Sequence, residues 1–325
     1  MYRIRRTLTA VVTAGLVSVT LAPPAEAAGV DRTGGTDRID TALKLYEQHR
    51  QVYVSDTVVL TRADDYADAL AATPLAALLD APILTTLPNR LDPRVLAALN
   101  RQGVKEVVIV GGERAVSPAI GQALADAGFE VTQFSGDSRF TTALAVAEVV
   151  MEARQATSVP VYVATGTNFA DALAAGAAAS QAGGVVALSM GPLLDPETAR
   201  FVSSSQASSV TAVGGPAARA VTTARVRATT ISGDDRFDTA AKLAAHINPS
   251  PTHAVLASGE TFADSLAGGP FAALVGAPML LTPSRTLAPQ TAAYLRTPKP
   301  RIMVLGGDKA VSQTVSRAVA TLVGP

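Results

Sequence analysis

The sequence contains no cysteine and no tryptophan, only three histidines, and 4% aromatic residues. Without cysteine, the chain forms neither disulfides nor thiolate metal sites, so its stability has to come from packing. The scarcity of aromatic side chains disfavours a carbohydrate or nucleic-acid site built from stacking platforms. An excess of positive charge is also lacking, since 27 basic residues face 27 acidic ones. Bulk electrostatic binding to nucleic acid or to an anionic membrane is therefore not expected.

Residues 1–27 have the pattern of a secretory signal peptide. A basic start is followed by a mostly apolar run over residues 7–22, and an Ala-Glu-Ala cleavage site ends at Ala27. The apolar run is short for a membrane span, and no later segment is long enough. We therefore expect a secreted protein that is free of the membrane after cleavage. Removing three arginines and one glutamate would leave 24 basic and 26 acidic residues, a formal charge of −2.

One stretch occurs three times, at a spacing of about 100 residues. Its copies occupy residues 58–74, 161–177 and 254–270. Each reads as an apolar strand, a short polar turn, and a helix of small residues with an aromatic-Ala-Asp-(Ala/Ser)-Leu core. Such self-similarity indicates a repeat architecture.

The same elements surround each copy, and they predict the fold. A short opening strand and a helix with an Arg-(Ile/Phe)-x-Thr-Ala start precede it, and further apolar strands and helices follow. Apolar strands separated by helices predict an α/β fold with parallel sheets covered on both faces. We predict three tandem Rossmann-like modules, at residues 28–128, 129–228 and 229–325. Two alternatives stay open: each opening strand begins its own module, or the strand at Val30 completes the third module and closes a ring.

These motifs resemble the cell wall-binding repeat 2 family. The resemblance rests on the Gly-Asp-x-Arg-Phe-x-Thr-Ala helix starts, the Phe-Ala-Asp-Ala/Ser-Leu helices, the Ala-Pro-apolar strands and the Val-Gly-Gly turns, which cover nearly the whole chain after residue 27. It implies three modules packed as a pseudo-threefold triangle. It also implies non-covalent attachment to an anionic polymer of a Gram-positive cell wall.

The aspartate of each repeated stretch is the first candidate site residue. The three are Asp68, Asp171 and Asp264. Good helix-capping residues stand three positions earlier, at Asp65, Asn168 and Thr261, which is close to a capping box. We interpret the aspartates as structural or inter-module residues at helix starts, where the helix dipole also favours an acid.

The repeated arginines are candidates for ligand binding or for an internal ion pair. They are Arg38, Arg139 and Arg236, and each falls in the first turn of a helix. A cation there opposes the helix dipole at a cost of roughly 0.3–1 kcal/mol. This threefold unfavourable choice predicts a compensating partner, either an internal carboxylate such as the repeat aspartate or an anionic group of a ligand.

Two further sets of residues are candidate ligand contacts. The Gly-Gly turns either let backbone N–H groups approach a phosphate or form tight turns with positive φ; they are Gly111, Gly112, Gly214, Gly215, Gly306 and Gly307. Hydroxyl side chains at equivalent strand ends either bond a sugar or phosphate or cap the next loop; they are Thr86, Ser189 and Thr282.

Catalysis finds little support in the sequence. No zinc-protease, nucleophile-elbow, Walker or dinucleotide-binding motif is present, and no cofactor or metal is expected. We expect the three histidines, His49, His246 and His253, to be surface residues. We predict a non-catalytic, wall-associated protein that binds a secondary polymer of the cell wall. A secreted wall hydrolase and an interaction module for another exported protein are the alternatives.

Overall fold

The structure is a computed structural model that describes residues 29–66, 68–297 and 299–324. The predicted signal peptide lies outside the described residues. In chain order, the strands are β1 (Val30–Thr33), β2 (Thr57–Arg62), β3 (Ile83–Thr86), β4 (Glu106–Val110), β5 (Glu130–Phe134), β6 (Val159–Thr165), β7 (Val185–Met190), β8 (Leu193–Leu194), β9 (Ala207–Val213), β10 (Thr229–Ile231), β11 (His253–Ser258), β12 (Met279–Thr282) and β13 (Arg301–Leu305).

The α-helices alternate with these strands. They are α1 (Arg38–Val52), α2 (Ala72–Leu78), α3 (Pro93–Gln102), α4 (Pro118–Asp126), α5 (Arg139–Ala153), α6 (Ala170–Gln181), α7 (Pro196–Val202), α8 (Gly215–Thr223), α9 (Arg236–Ile247), α10 (Gly268–Leu274), α11 (Pro289–Arg296) and α12 (Gln313–Val323). A short 3-10 turn (Ala69–Ala71) precedes α2. Proline at the first position of α3, α7 and α11 fits a site where no backbone N–H is needed.

Three separate sheets result, with strand orders β3-β2-β4-β5, β10-β9-β6-β7-β8 and β1-β13-β11-β12. The pairs within them are parallel, apart from the antiparallel pair of β7 with β8. The central strands β2, β6 and β11 are almost entirely buried because helices cover both faces. The predicted α/β fold of three parallel-sheet modules is confirmed.

The opening strand of each repeat joins the sheet of the repeat before it. Strand β5 pairs with β4, and β10 pairs with β9. At the N-terminus, β1 pairs with β13, in a register that places Val30 opposite Ile302 and Thr33 opposite Leu305. The N-terminal strand therefore completes the third sheet and closes the ring, which decides between the two alternatives that the sequence left open. Each sheet unit is offset from its sequence repeat by one strand.

Helices α2, α6 and α10 pack against one another around the pseudo-threefold axis. At equivalent positions in the three helices stand Thr73, Gly176 and Gly269. A Cβ atom on Gly269 would lie 2.5 Å from the Oγ1 of Thr73, and one on Gly176 would lie 3.2 Å from the Cβ of Thr73. The axis thus accommodates one threonine because both of its counterparts are glycines.

The largest hydrophobic cluster draws buried residues from all three repeats, among them Leu70, Leu173 and Leu266. Full burial of a leucine side chain stabilises a fold by about 1.5–3 kcal/mol. The repeats consequently share one core and stabilise one another.

Candidate functional site

Three aromatic rings meet on the axis, at one edge of the sheets. Tyr66, Phe169 and Phe262 follow the carboxyl ends of β2, β6 and β11, and their ring centroids are 5.9, 5.3 and 5.9 Å apart. Tilted and edge-on contacts at this separation are favourable for aromatic pairs. All three strands end beside the same three aromatic residues. The carboxyl ends of the three sheets therefore lie on one side of the closed ring of repeats. We call this side, formed by the loops that follow the parallel strands, the strand-end face.

The repeated arginines lie beside this trio and connect neighbouring repeats. Each guanidinium is held over the ring of the preceding repeat: Arg38 over Phe262 at 5.5 Å from the Cζ atom to the ring centroid, Arg139 over Tyr66 at 5.7 Å, and Arg236 over Phe169 at 5.8 Å. The Nη1 atom of each arginine also donates to a carbonyl oxygen of its own repeat, in Ala63, Gly166 or Gly259, at 2.6, 2.7 and 2.6 Å.

The ion pair between arginine and repeat aspartate, one of the two alternatives left open by the sequence, is not formed among the described residues. Among the described residues, no carboxylate oxygen is within ion-pair distance of these three guanidinium groups. The carbonyl bond and the ring face take its place, and a cation over a ring contributes about 0.5–2 kcal/mol. This contact offsets the unfavourable position of the cation at a helix start.

The interpretation of the repeat aspartates as helix-start residues fits Asp171, which lies in the first turn of α6, but not its two counterparts. Asp68 makes no side-chain capping bond to the 3-10 turn that follows it, and α10 begins at Gly268, four residues beyond Asp264. Two of the carboxylates instead reach the next repeat. Asp264 accepts a hydrogen bond of 2.6 Å from the Oγ1 of Thr41, and the side chain of Thr142 lies close enough to Asp68 to act on its pKa. Asp68 and Asp264 therefore face the neighbouring repeat.

Asp171 differs from its two counterparts. Its Oδ1 atom is buried and, among the described residues, has no hydrogen-bond partner. Burial raises the pKa of Asp171 to about 6, against a lowering by the nearby charge of Arg236. The pKa of Asp68 is also raised by burial, while the side chain of Thr142 and the charge of Arg139 lower it.

The first glycine of each Gly-Gly turn has a backbone role. Gly111, Gly214 and Gly306 have φ values of 126°, 88° and 89°, which favour glycine. Their N–H groups donate to the carbonyls of Phe134, Ile231 and Thr33 in the joining strands, so these groups are not free for a phosphate. A Cβ on Gly306 would lie 2.7 Å from the Oδ2 of Asp264, and one on Gly214 would overlap the Oδ2 of Asp171.

The second glycines stay candidates for ligand contact. Within the described residues, no backbone acceptor is recorded for the N–H of Gly112 or of Gly307. Gly215 is the first residue of α8, where helix geometry leaves the N–H unpaired. All three are partly exposed on the strand-end face.

The strand-end hydroxyls are loop-closing groups rather than ligand contacts. Thr86, Ser189 and Thr282 have no exposed surface. Their hydroxyls donate to the carbonyls of Arg90, Gly191 and Thr286 in the loops that follow, at 3.0, 2.9 and 2.9 Å. Of the two predicted roles, the structure shows the cap of the next loop.

A cleft of about 760 Å³ opens on the strand-end face between the first and second repeats. Three arginines line it, Arg62, Arg114 and Arg139, together with four carboxylates, those of Asp65, Asp68, Glu113 and Asp137. Of the arginines, Arg62 is already paired with Asp64, its Nη2 atom lying 2.8 Å from Oδ1. The cleft is therefore mixed in charge rather than a cationic site.

The histidines lie on three different elements. His49 is 2% exposed in α1, so the expectation of a surface residue is wrong for it, and burial lowers its pKa. His246 is exposed on α9, and His253 is partly buried at the start of β11. Among the described residues, no group of three or more acidic or histidine side chains is placed to hold a metal ion.

Sequence reasoning missed two sets of residues in this site. The aromatic residues of the repeated stretch and the threonines at positions 41, 142 and 239 were visible only as recurring letters of the motifs. Their recurrence at fixed spacing was the available signal, because a residue that repeats beside the axis in each module meets its own copies or the next repeat.

Comparison with known proteins agrees with this architecture. The family described as Cell wall binding domain 2 (CWB2) matches the chain three times, at residues 32–121, 133–221 and 230–316. The chain belongs to this family. Among curated proteins, the N-acetylmuramoyl-L-alanine amidase LytC of Bacillus subtilis is 29% identical over 291 residues, which are 88% of this chain and 57% of the amidase. The amidase enhancer of the same organism is 31% identical over 144 residues, 44% of this chain and 19% of that protein.

Two solved structures share the fold of this CWB2 protein. Cwp6 from Clostridium difficile superposes with a TM-score of 0.83 at 24% identity, over 92% of this chain and 48% of Cwp6. Cwp8 from the same organism gives a TM-score of 0.78 at 23% identity, over 90% of this chain and 51% of Cwp8. The chain thus spans about half the length of each structure and 57% of the amidase. Family membership indicates association with a cell wall. Over the described residues, none of the helices has the length and apolar character of a membrane span.

Proposed function

We propose that this protein is secreted and binds an anionic secondary polymer of a Gram-positive cell wall, without catalysing a reaction. The proposal rests on one observation above the others. The closed set of three repeats presents three guanidinium groups, one per repeat. They lie on the strand-end face, where the second glycines of the Gly-Gly turns also lie. Ligands of open parallel sheets bind at this edge.

Each of these arginines keeps donor capacity for a ligand. Nη1 is committed to a carbonyl oxygen, whereas no acceptor is recorded for Nε and Nη2 among the described residues. The three side chains are half-buried. A guanidinium that is positioned by a ring and a carbonyl loses little side-chain freedom when it binds a phosphate or carboxylate.

The overall charge supports local recognition. With a formal charge of −2 after the predicted cleavage, the chain does not attract a polyanion as a whole. Three linked sites on one face suit a polymer that repeats its anionic groups, because each bound group raises the effective concentration of the next.

Purified cell walls test the proposal directly. The protein should sediment with walls that retain their secondary polymers and stay in the supernatant with walls from which acid has removed those polymers. Equal retention on both preparations would contradict polymer binding, and retention on neither would contradict wall binding altogether. Release of soluble sugar or peptide during incubation would instead favour the alternative of a secreted wall hydrolase, to which the similarity with an amidase also points.

Replacement of the repeated arginines adds a residue-level test. Arg38→Ala and Arg236→Ala should each weaken retention on unstripped walls. The second repeat departs from the others at Gly184 and Val185, so Arg139→Ala should weaken it less. A fall in melting temperature without loss of binding would assign the arginines to the fold alone.

A further inference from the structure

In the first and third repeats, two strand-end loops are tied together. The N–H of Ser117, after β4, donates to the carbonyl of Pro88, after β3, at 2.8 Å. In the third repeat, the N–H of Ser312 donates to the carbonyl of Ser284 at the same distance. Each bond joins the loop after the edge strand to the loop after the neighbouring Gly-Gly turn. We call these pairs, residues 87–92 with 111–117 and residues 283–288 with 306–312, the cation loops.

Each pair of cation loops carries two exposed cations. They are Arg90 and Arg114 in the first repeat, and Arg285 and Lys309 in the third. Among the described residues, none of the four has a carboxylate within ion-pair distance. The nearby Arg94, in contrast, is paired with Asp37 and Asp92 at 2.9 Å.

Among the described residues, no acidic side chain forms an ion pair with these cations, but two carboxylates lie near them: that of Glu260 accepts a hydrogen bond of 3.0 Å from the N–H of Ser284, and that of Asp92 is close enough to Arg90 to interact with its charge. Asp308, beside Lys309, lies 3.8 Å from Arg32 and accepts a hydrogen bond from Gln313. Glu113, beside Arg114, is exposed. Arg285 lowers the pKa of Glu260 through space without contacting it. In the first and third repeats, two exposed cations therefore stand on the strand-end face.

The second repeat has no such loops. Strand β9 runs through Gly214 directly into α8, whose second residue is Pro216. The loop after β7 folds back as the short strand β8, and Met190 and Leu193 are 40% and 51% exposed there. An apolar hairpin thus occupies the place of the loop after the edge strand, whereas an exposed cation of α8, Arg219, stands near the Gly-Gly turn, its Nη1 atom 3.5 Å from where a Cβ on Gly215 would lie.

From this asymmetry we propose that the cation loops of the first and third repeats bind the anionic groups of the polymer, and that the second repeat does not add such a site. This inference rests on the proposed function and refines it: the ligand is a polymer whose phosphate or carboxylate groups engage two separated double-cation sites. An exposed ion pair is weak by itself, so two per repeat and two repeats per molecule are needed for firm retention.

Matched charge removals test this assignment. The variants are R90Q/R114Q, R285Q/K309Q and the quadruple combination. The control is R225Q/R227Q, which removes two exposed cations that form no ion pair among the described residues and that lie at the opposite edge of the second sheet, before β10. At low salt, each loop variant should bind unstripped walls about tenfold more weakly than the unchanged protein, and the quadruple variant should not be retained. The control should bind within about twofold of the unchanged protein, and all variants should keep its melting temperature.

Defined polyanions identify the anionic group. Soluble poly(glycerol phosphate) and polygalacturonate are added as competitors, and competition by one of them assigns phosphate or carboxylate recognition. Full binding by the quadruple variant, an equal loss in the control, or competition by neither polyanion would overturn the inference. If the unchanged protein itself does not distinguish unstripped from stripped walls, the proposed function fails, which separates that result from failure of the cation loops alone.

Discussion

The three seams between consecutive repeats use the same sequence motif, but their aspartates are held differently. Thr41 donates a hydrogen bond to Asp264 between the third and first repeats, and Thr142 lies beside Asp68 between the first and second. At the seam between the second and third repeats, the hydroxyl of Thr239 donates to the carbonyl of its own helix cap, Asp235, at 3.0 Å. Asp171 is left with an unpartnered, buried oxygen.

The backbone before Asp171 explains the difference. Helix α6 begins at Ala170, and the Oδ1 of Asn168 accepts a hydrogen bond of 3.3 Å from the N–H of Ala170. Asp171 is therefore fixed in the first turn of a regular helix. The equivalent aspartates precede irregular turns and can reach the neighbouring repeat. The turn before the helix changes what a repeated aspartate can contact, so repeats with the same motif need not have equally stable seams.

The largest effect is expected from removing the ring at this seam. Phe169 is 8% exposed and lies under Arg236. Phe169→Ala should lower the free energy of unfolding by about 3 kcal/mol, because a buried ring and a cation contact are lost together. Urea unfolding followed by circular dichroism measures it.

Tyr66→Ala provides the comparison for Phe169→Ala. Its ring is more exposed, so a smaller loss is expected. An equal or larger loss for Tyr66→Ala would show that the axis does not depend on ring burial.

The second effect is the pH dependence of the seam at Asp171. Its folded pKa of about 6 is above the ordinary aspartate value of 3.8. Between these values the folded protein binds more protons than the unfolded one, so this group's contribution to stability falls as pH rises from about 4 to 6. Asp171→Asn should therefore raise the free energy of unfolding by about 2 kcal/mol at pH 7.5.

Measurement of both proteins at pH 4.5 and 7.5 separates Asp171 from other groups. Buried His49 has an opposite pH dependence, and it cancels when the variant is compared with the unchanged protein. The gain should shrink at pH 4.5. A constant difference between the two proteins at both pH values would show that Asp171 is not the titrating group.

The smallest effect concerns the threonines. Thr41 and Thr239 both accept a bond from a glycine N–H, of Gly35 and Gly233, and only Thr41 also bonds an aspartate across the seam. Thr41→Val should therefore destabilise the protein by about 1 kcal/mol more than Thr239→Val does. Parallel denaturant titrations would reveal the difference, and equal losses would mean that the bond to Asp264 adds no stability.

The architecture was readable from sequence because it depends on periodic features. Apolar runs separated by helices predicted the parallel sheets, and the recurrence of Asp68, Asp171 and Asp264 predicted three equivalent modules. The ring closure could not be chosen, because the strand at Val30 has the same pattern whether it pairs with its own repeat or with β13. Strand partners that are about 270 residues apart are set by tertiary packing, which local patterns do not encode.

The candidate site was less predictable, for reasons that differ among its residues. The unfavourable position of the arginines indicated a compensating partner. That partner is a backbone carbonyl oxygen together with an aromatic ring, and neither carries a charge by which the sequence could reveal it. The aspartates resembled a capping box, and only the neighbouring repeat supplies the threonines that lie beside Asp68 and Asp264. Burial decided between the two roles of the hydroxyls at positions 86, 189 and 282. A strand end that lies beneath a loop is not accessible to a ligand, so these hydroxyls hold the loop instead.

The most direct test of the polymer-binding account is competition between the wall and its own released polymer. The protein is mixed with soluble secondary polymer purified from the same walls, and its retention on intact walls is then measured over a range of polymer concentrations. The account predicts that retention falls in a saturable manner and that added salt weakens both forms of binding together. Retention that stays unchanged at saturating soluble polymer would contradict it.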